Sequence, residues 1–258
     1  MRLFKELYDY REMIFSLIRR DLKGRYKGSI LGFFWTFLNP LLQLVVYTIV
    51  FSMVMISPIE DYYLFLFVAL VPWLMFATSV SGGCSCIRSQ QDMVKKIYFP
   101  REVLPVSYVT SQLVNMLLSF IVVFVVIGVS GKGFNLIALL YLPLIFFIEY
   151  LLALGFCLVV SAMTVYFRDL EYLLSILTMA WQFLTPIMYG IDMVPDNLMP
   201  VFLCNPMTPV IIAYRDVLFY KQVPELRTLA HAAIFGVAMV IIGFLVFGRL
   251  QKHFAEEM

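Results

Sequence analysis

The residue types best suited to chemistry gather in one short basic segment, residues 19–29, which reads RRDLKGRYKGS. Its five cations offer charge and hydrogen-bond donors to an anion, and its glycines allow backbone N–H groups to approach closely. The segment therefore predicts a phosphate-binding loop, with positive charge that only anchors the chain at a membrane surface as the alternative. The candidate residues are Arg20, Lys23, Arg25, Tyr26, Lys27 and Ser29.

Sequence patterns for catalysis and metal binding are absent. No glycine-rich phosphate loop ends in Gly-Lys-Ser or Gly-Lys-Thr, so ATP-driven work would need a partner that binds ATP. The chain has only two histidines and neither an HExxH nor a GxSxG motif. Cys84 and Cys86 form a CxC pair without a second cluster, which favours structural cysteines over a metal site. We therefore expect no enzyme activity, no cofactor and no metal in this chain.

The elements that position the basic segment must lie in a membrane. Apolar side chains make up 62% of the 258 residues and charged ones only 14%, which is more apolar surface than a water-soluble globule can bury. Six runs are long and almost free of charge, so each predicts a membrane-spanning helix. They are residues 28–59, 62–87, 103–131, 133–167, 172–191 and 228–248.

A seventh apolar run, residues 197–214, contains Pro200, Pro206 and Pro209. Proline lacks a backbone donor and interrupts helical hydrogen bonding. Because broken backbone is costly against lipid, this run predicts short re-entrant or interfacial helices between the fifth and sixth spans.

Lysine and arginine are distributed unevenly around the six predicted spans. Fifteen of the 19 basic residues fall on the side that carries both chain ends, and the positive-inside rule makes that side cytoplasmic. We therefore expect an all-α integral membrane protein of one domain with both termini in the cytoplasm. Its predicted parts are an interface helix and loop (1–27), spans one to five (28–189), a periplasmic region (190–227), span six (228–248) and a cytoplasmic tail (249–258).

Two cytoplasmic segments carry patterns of their own. In the first 22 residues, apolar positions recur at three- and four-residue steps, which predicts an amphipathic helix in the membrane interface. Residues 88–105 predict a short helix stopped by Pro100, suited either to docking into a groove on a partner or to an ordinary interfacial loop. The candidate docking residues are Gln91, Asp92, Lys95, Lys96, Tyr98 and Phe99.

Glu149 is the one formal charge inside a predicted span. A carboxylate in lipid is costly, which makes this residue a functional candidate, with a packing or pairing role as the alternative. The run that holds it is longer than one span requires, so a tilted helix is compatible with the sequence.

Several segments resemble the permease subunits of ABC-2 type polysaccharide exporters, the Wzm-like proteins. The resemblance begins with IRRDLKGRYKGSILGFFW at residues 18–35 and continues with LNPL at 38–41. It extends to PREVLP at 100–105, FRDL at 167–170, NPMTP at 205–209 and YRD at 214–216. These motifs occur in order along nearly the whole chain, so the resemblance is specific.

The resemblance implies a homodimer of six-span subunits in the inner membrane, with two copies of a Wzt-like ABC ATPase that hold the ATP and Mg²⁺. Such an assembly exports an undecaprenyl-pyrophosphate-linked glycan, similar to O-antigen, from the cytoplasm to the periplasm. It has no nucleic-acid partner. The alternatives are a permease for capsule or teichoic acid export, an ATP-independent flippase for lipid-linked glycans, and a membrane glycosyltransferase.

The resemblance also implies roles for individual segments. The loop around Arg25, Tyr26 and Lys27 becomes a cytoplasmic gate near the lipid pyrophosphate, and residues 90–99 become the coupling helix that receives ATPase movement. Aromatic side chains that could line a glycan channel are Trp35, Tyr98 and Trp181. The implied periplasmic gate, residues 197–220, contains Asn205, Pro206, Tyr214, Arg215 and Asp216.

Overall fold

The computed structural model describes residues 2–25, 28–50 and 59–254. Within these ranges the chain is helical and contains no β-strand, which confirms the predicted all-α class for this part of the protein. Short 3-10 turns and loops join the α-helices. In chain order the α-helices of the described residues are α1 (Arg2–Asp9), α2 (Arg11–Gly24), α3 (Trp35–Thr48), α4 (Tyr62–Ser81), α5 (Gln91–Lys96), α6 (Val103–Val129), α7 (Leu136–Leu139), α8 (Leu142–Tyr166), α9 (Leu170–Phe183), α10 (Met199–Cys204), α11 (Met207–Leu218) and α12 (Leu226–Leu250).

Among the described residues, four helical segments are long and apolar enough to cross a membrane. They are Tyr62–Ser85, Val103–Val129, Leu136–Tyr166 and Leu226–His253. At 1.5 Å per residue, even the shortest, with 24 residues, exceeds the roughly 30 Å of a hydrocarbon core. The predicted first and fifth spans contain α3 and α9, which have 14 residues each and are about 21 Å long. Four of the predicted spans are therefore confirmed as long apolar helices, and the count of six stays a prediction.

The predicted amphipathic segment at the start of the chain forms two helices. The first, α1, ends at Asp9, and α2 begins at Arg11 after the non-helical Tyr10. On α2, Leu17 and Ile18 are buried while the basic residues of the same helix are exposed. This helix packs along α6, so its apolar face covers the membrane bundle.

The core of the bundle is built around α4. Fifteen of its 20 residues are buried, and Leu74 and Thr78, which are not, line a polar cavity. It contacts α3, α6, α8, α9 and α11. A helix that is apolar all round is expected at such a central position.

The pair α8 and α12 packs backbone against backbone. A Cβ atom added to Gly155 of α8 would lie 2.4 Å from the carbonyl carbon of Met239, and one added to Gly243 of α12 would lie 2.7 Å from the Gly155 carbonyl oxygen. Gly236 is similarly close to Ile148, at 3.1 Å from its carbonyl oxygen. Small residues are what allow two membrane helices to approach this closely.

Loops at the predicted periplasmic end are tied together by polar contacts. Lys132 forms an ion pair with Asp61, and its ammonium lies 5.1 Å from the ring centroid of Phe219. Asn135 donates to the carbonyl oxygen of Lys221 at 2.9 Å. These contacts therefore hold the start of α4 and the ends of α6 and α11 close together, next to the start of α7.

Candidate functional site

The predicted phosphate loop covers the end of α2 and the turn that follows. Arg20 and Lys23 lie on α2 with exposed side chains and form no ion pair within the described residues. Gly28 has a φ of +85°, a left-handed conformation that favours glycine and redirects the chain toward α3. Two members of the predicted loop, Tyr26 and Lys27, lie outside the described residues.

Arg25 is engaged by partners within the chain. Its guanidinium donates two hydrogen bonds to Asp21 Oδ2, at 2.7 and 3.1 Å, and one to Gln112 Oε1 at 3.1 Å. Ser111 accepts a further bond at 3.3 Å and donates to Asp21 at 2.5 Å. This network fastens the end of α2 to α6, so it fixes the position of the basic loop.

A polar cavity of about 180 Å³ opens beside this network, between α3, α4 and α6. Arg25 and Trp35 both line it, and Trp35 donates to Ser29 Oγ at 2.9 Å. The structure therefore brings three of the predicted residues together. Asn115 also lines the cavity, and its Oδ1 atom is buried without a hydrogen-bond partner.

Sequence reasoning missed the amide side chains of this cavity. Gln112 and Asn115 lie on α6, and Asn39 and Gln43 lie on α3. All four occupy predicted spans in which most other residues are apolar. Polar residues within a span are a functional signal that the charge count overlooked.

A second, apolar groove of about 670 Å³ runs between α2, Phe33 and α6. Phe15, Ile18 and Leu22 form its α2 side. Two cations of the same helix line it as well, Arg19 and Lys23. The groove therefore combines apolar surface with positive charge, as binding of an anionic amphipathic lipid requires.

The predicted docking segment is a short helix followed by an extended stretch. Helix α5 ends at Lys96, so Tyr98 and Phe99 follow it rather than belong to it. Val94 and Phe99 are buried, whereas Tyr98 is 96% exposed. The remaining candidates are exposed, namely Gln91, Asp92, Lys95 and Lys96. Apolar anchors thus point inward while cations and an aromatic ring point outward.

A groove of about 960 Å³ lies against this segment. One wall is residues 94–102, and the N-terminal helices contribute Glu6 and Tyr10. The end of α12 and the turn after it contribute Gly248, Gln251 and Lys252. Three separate parts of the chain therefore form one surface at the predicted cytoplasmic end.

Contacts on both sides hold the docking segment in place. Before α5, Arg88 forms an ion pair with Glu171 at the start of α9, at 3.7 Å. After it, Arg101 donates to the carbonyl oxygen of Gln251, and the Gln251 amide donates to Glu102 Oε1 at 2.7 Å. The segment is consequently attached to α9 and to the end of α12.

Asn205 fastens the turn between α10 and α11. Its amide donates to the carbonyl oxygen of Leu184 at 2.9 Å and to Thr185 Oγ1 at 2.8 Å. Its Oδ1 atom accepts from Trp181 Nε1 at 2.9 Å and from the backbone N–H of Met207 at 3.0 Å. With Pro206 immediately before α11, this amide fixes where that helix begins.

Tyr214 and Asp216 attach α11 to different neighbours. The Tyr214 hydroxyl donates to Glu149 Oε2 on α8 at 2.5 Å. Asp216 Oδ1 accepts from the Gln222 side chain at 2.7 Å, in the connection to α12. Two positions of α11, on either side of Arg215, thus contact a long helix and a loop.

Arg215, between them, is a buried cation at 3% exposure. Its guanidinium donates to the carbonyl oxygens of Tyr189 and Ile187, at 3.1 and 2.6 Å, and its central carbon lies 3.5 Å from the ring centroid of Phe65. No carboxylate pairs with it among the described residues. Backbone carbonyls and an aromatic face therefore stabilise this charge.

The three proposed channel aromatics lie in different environments. Trp35 lines the polar cavity. Trp181 packs edge-on against Phe76 and Phe156, at centroid distances of 5.1 and 5.2 Å. Tyr98 is almost fully exposed at the predicted cytoplasmic end, which favours its docking role over a channel role.

All four cysteines are free, with three buried and Cys204 exposed. Within the described residues, no group of three or more histidine, cysteine or acidic side chains is arranged to hold a metal ion.

Comparison with known proteins agrees with this architecture. Residues 12–219 match the family described as ABC-2 type transporter. The chain is 35% identical to the O-antigen export system permease protein RfbA of Myxococcus xanthus, with 100% of both chains covered. It is 31% identical to the protein of the same name in Klebsiella pneumoniae, over 95% of this chain and 94% of that one. It is 21% identical to the polysialic acid transport protein KpsM of Escherichia coli, over 92% and 93%. With most of its length matched to the family, the chain belongs to the ABC-2 type transporters.

Proposed function

We propose that this chain is the membrane permease subunit of an ATP-driven exporter that moves a lipid-linked polysaccharide from the cytoplasm to the periplasm. The observation that carries the proposal is the 35% identity, over the whole of both chains, to an O-antigen export permease. The chain has no nucleotide-binding loop, so an ABC ATPase partner supplies the energy.

The cytoplasmic groove is the proposed docking site for that ATPase. Exposed Lys95, Lys96 and Tyr98 stand at its edge, while buried Val94 and Phe99 hold the segment to the membrane bundle. A partner would complement this surface if it had acidic residues opposite the two lysines and an apolar pocket for the tyrosine ring. Two ATPase subunits bind in this way when the permease is a homodimer.

Apolar faces on α3 and α9 support the homodimer. Leu42, Val45 and Val46 of α3 are about half exposed, as are Leu177 and Phe183 of α9. The polar cavity beside Arg25 is lined by other residues of α3, among them Thr36, Asn39 and Gln43. A second copy packed on α3 would therefore place two such cavities close to the dimer interface.

The apolar groove along α2 is the proposed binding place for the lipid part of the substrate. A polyprenyl chain matches its apolar wall, and Arg19 and Lys23 attract the pyrophosphate at the membrane surface. The Arg25 network holds α2 against α6 and so keeps this groove in position. Undecaprenyl pyrophosphate carrying an O-antigen-like glycan is the proposed substrate.

Six spans in the inner membrane, with both termini cytoplasmic, complete the proposal. In this arrangement α3 and α9 belong to the first and fifth spans, and α10 and α11 form re-entrant periplasmic gate helices. Lys132 forms an ion pair with Asp61 and accepts a hydrogen bond from Lys221 at its carbonyl oxygen. These contacts support placing the three loops that carry these residues on the same side of the membrane.

Labelling with a membrane-impermeant maleimide tests this orientation. In intact spheroplasts we expect the reagent to modify the wild-type protein at Cys204, the exposed cysteine, and to leave the Cys204→Ser variant unmodified. Adding Tyr98→Cys to Cys204→Ser should restore modification only after the membrane is permeabilised. Modification of that double variant in intact spheroplasts would contradict the orientation.

Deletion of the gene tests the function in cells. We expect loss of surface polysaccharide and accumulation of the lipid-linked glycan on the cytoplasmic side, with recovery when the wild-type gene is supplied. A cell that still exports its glycan would rule out this role. The similarity to KpsM favours capsule polysaccharide as the second candidate cargo, and analysis of the accumulated glycan distinguishes the two.

A further inference from the structure

Glu149 is the least expected side chain of the membrane bundle. It lies on α8 at 0% exposure, and it takes part in no ion pair within the described residues. Oε2 accepts the hydrogen bond from Tyr214, and Oε1 is buried without a partner. Burying an incompletely satisfied polar group is costly, so packing alone is a poor reason for a carboxyl group here.

The partner of Glu149 belongs to the helix that carries the proposed periplasmic gate. Tyr214 is fully buried in α11, where its ring lies 5.6 Å from that of Phe120 and 5.9 Å from that of Phe146. The hydrogen bond at 2.5 Å joins α11 directly to α8. A displacement of α8 at this level would break this bond unless α11 moved with it.

Helix α8 packs closely along α12. The contacts at Gly155, Gly236 and Gly243 leave no room for a methyl group, so the two backbones cannot slide past each other without opening the packing.

The cytoplasmic end of this pair is attached to the docking segment. Arg101 and Glu102, which follow the segment, both bind Gln251 at the end of α12. Tyr166, the last residue of α8, donates to the carbonyl oxygen of Leu250 at 2.7 Å. The ends of α8 and α12 are thus fixed to each other and to the chain that leaves α5.

We propose that Glu149 is a positioning residue that couples the gate helix α11 to the closely packed α8–α12 pair, so that movement of the docking segment reaches the periplasmic side. The inference rests on the proposed exporter function. Glu149 acts through Tyr214 and does not contact the transported glycan.

Two variants separate coupling from simple stability. The double variant Glu149→Met/Tyr214→Phe removes both ends of the hydrogen bond and keeps apolar volume, a change that is close to neutral for stability when both partners are replaced. Glu149→Gln keeps an acceptor for the Tyr214 hydroxyl and is the matched conservative variant.

The measurement is the amount of lipid-linked polysaccharide exported per ATP hydrolysed, in proteoliposomes that contain the permease and its ATPase. We expect the Met/Phe double variant to hydrolyse ATP but to export at least about threefold less per ATP, a size typical of coupling between distant sites. Glu149→Gln should match the wild type. The rate at which maleimide modifies Cys204, which lies just before α11, should change on ATP addition in the wild type and in Glu149→Gln but not in the double variant.

An export ratio in the double variant equal to that of the wild type would overturn the inference. If the double variant does not accumulate, Arg101→Ala/Gln251→Ala removes the attachment of the docking segment to the end of α12 instead. An unchanged export ratio in that second variant would also overturn the inference. Wild-type protein that fails to export at all would instead contradict the proposed function, so the two failures are distinguishable.

Discussion

A triple variant, Lys95→Glu/Lys96→Glu/Tyr98→Ala, is expected to abolish copurification of the ABC ATPase with the permease. The two lysines and the tyrosine are exposed on the predicted cytoplasmic side, and the buried Val94 and Phe99 are unchanged. Truncating an aromatic anchor at an interface typically costs about 2 kcal/mol or more, and reversing two charges adds repulsion. We expect the affinity to fall by about a hundredfold or more, measured by pull-down and by surface binding of the purified ATPase.

The matched control reverses an exposed cation elsewhere. Arg227 is the second residue of α12, at its predicted periplasmic end, is exposed and forms no ion pair within the described residues. Arg227→Glu should copurify with the ATPase like the wild type. Retention of the ATPase by the triple variant would show that the docking surface lies elsewhere.

The second large effect is expected at Arg215. Arg215→Ala removes the donors to the Ile187 and Tyr189 carbonyls and the cation over Phe65, at a position that is 3% exposed. Hydrogen bonds from charged groups contribute about 1.5–3 kcal/mol each, so we expect a loss of about 3 kcal/mol or more. In a chain of this size that corresponds to a fall in Tm of roughly 6–12 °C, measured by thermal unfolding in detergent.

Arg227→Ala is the control for this prediction too, because it deletes the same side chain from an exposed position. A change within about 0.5 kcal/mol is expected there. Equal unfolding temperatures for the two alanine variants would contradict the account of Arg215 as the residue that holds the loop after α9.

The sequence allowed the long spans to be predicted because charge is so costly in lipid. The shorter helices show that an uncharged run does not by itself define where a helix begins and ends. The first run is uncharged from Gly28, yet α3 begins only at Trp35, because Gly28 and Gly32 both adopt positive φ and interrupt the helix. The fifth run continues to residue 191, yet α9 ends at Phe183, where the following Pro186 disfavours helical backbone before it.

The sequence predicted where the candidate site lies better than it predicted which residues its side chains contact. The pairing of Asp21 with Arg25 has the i, i+4 spacing that a helix brings together, so it was readable from the sequence. The link from Arg25 to Gln112 depends on α2 packing against α6, 87 positions apart, and no local pattern encodes it. The same holds for Tyr214 and Glu149, whose separation along the chain is 65.

The central claim is that this permease moves a lipid-linked polysaccharide using energy from a separate ATPase. Proteoliposomes that contain the permease, its ATPase and the lipid-linked glycan test it most directly, with a membrane-impermeant glycosidase on the outer side to report the glycan that has crossed. We expect glycan to become accessible only when both proteins and hydrolysable ATP are present. Glycan that crosses equally well with the permease alone, or that is chemically altered by it, would contradict the claim and favour a flippase or a transferase.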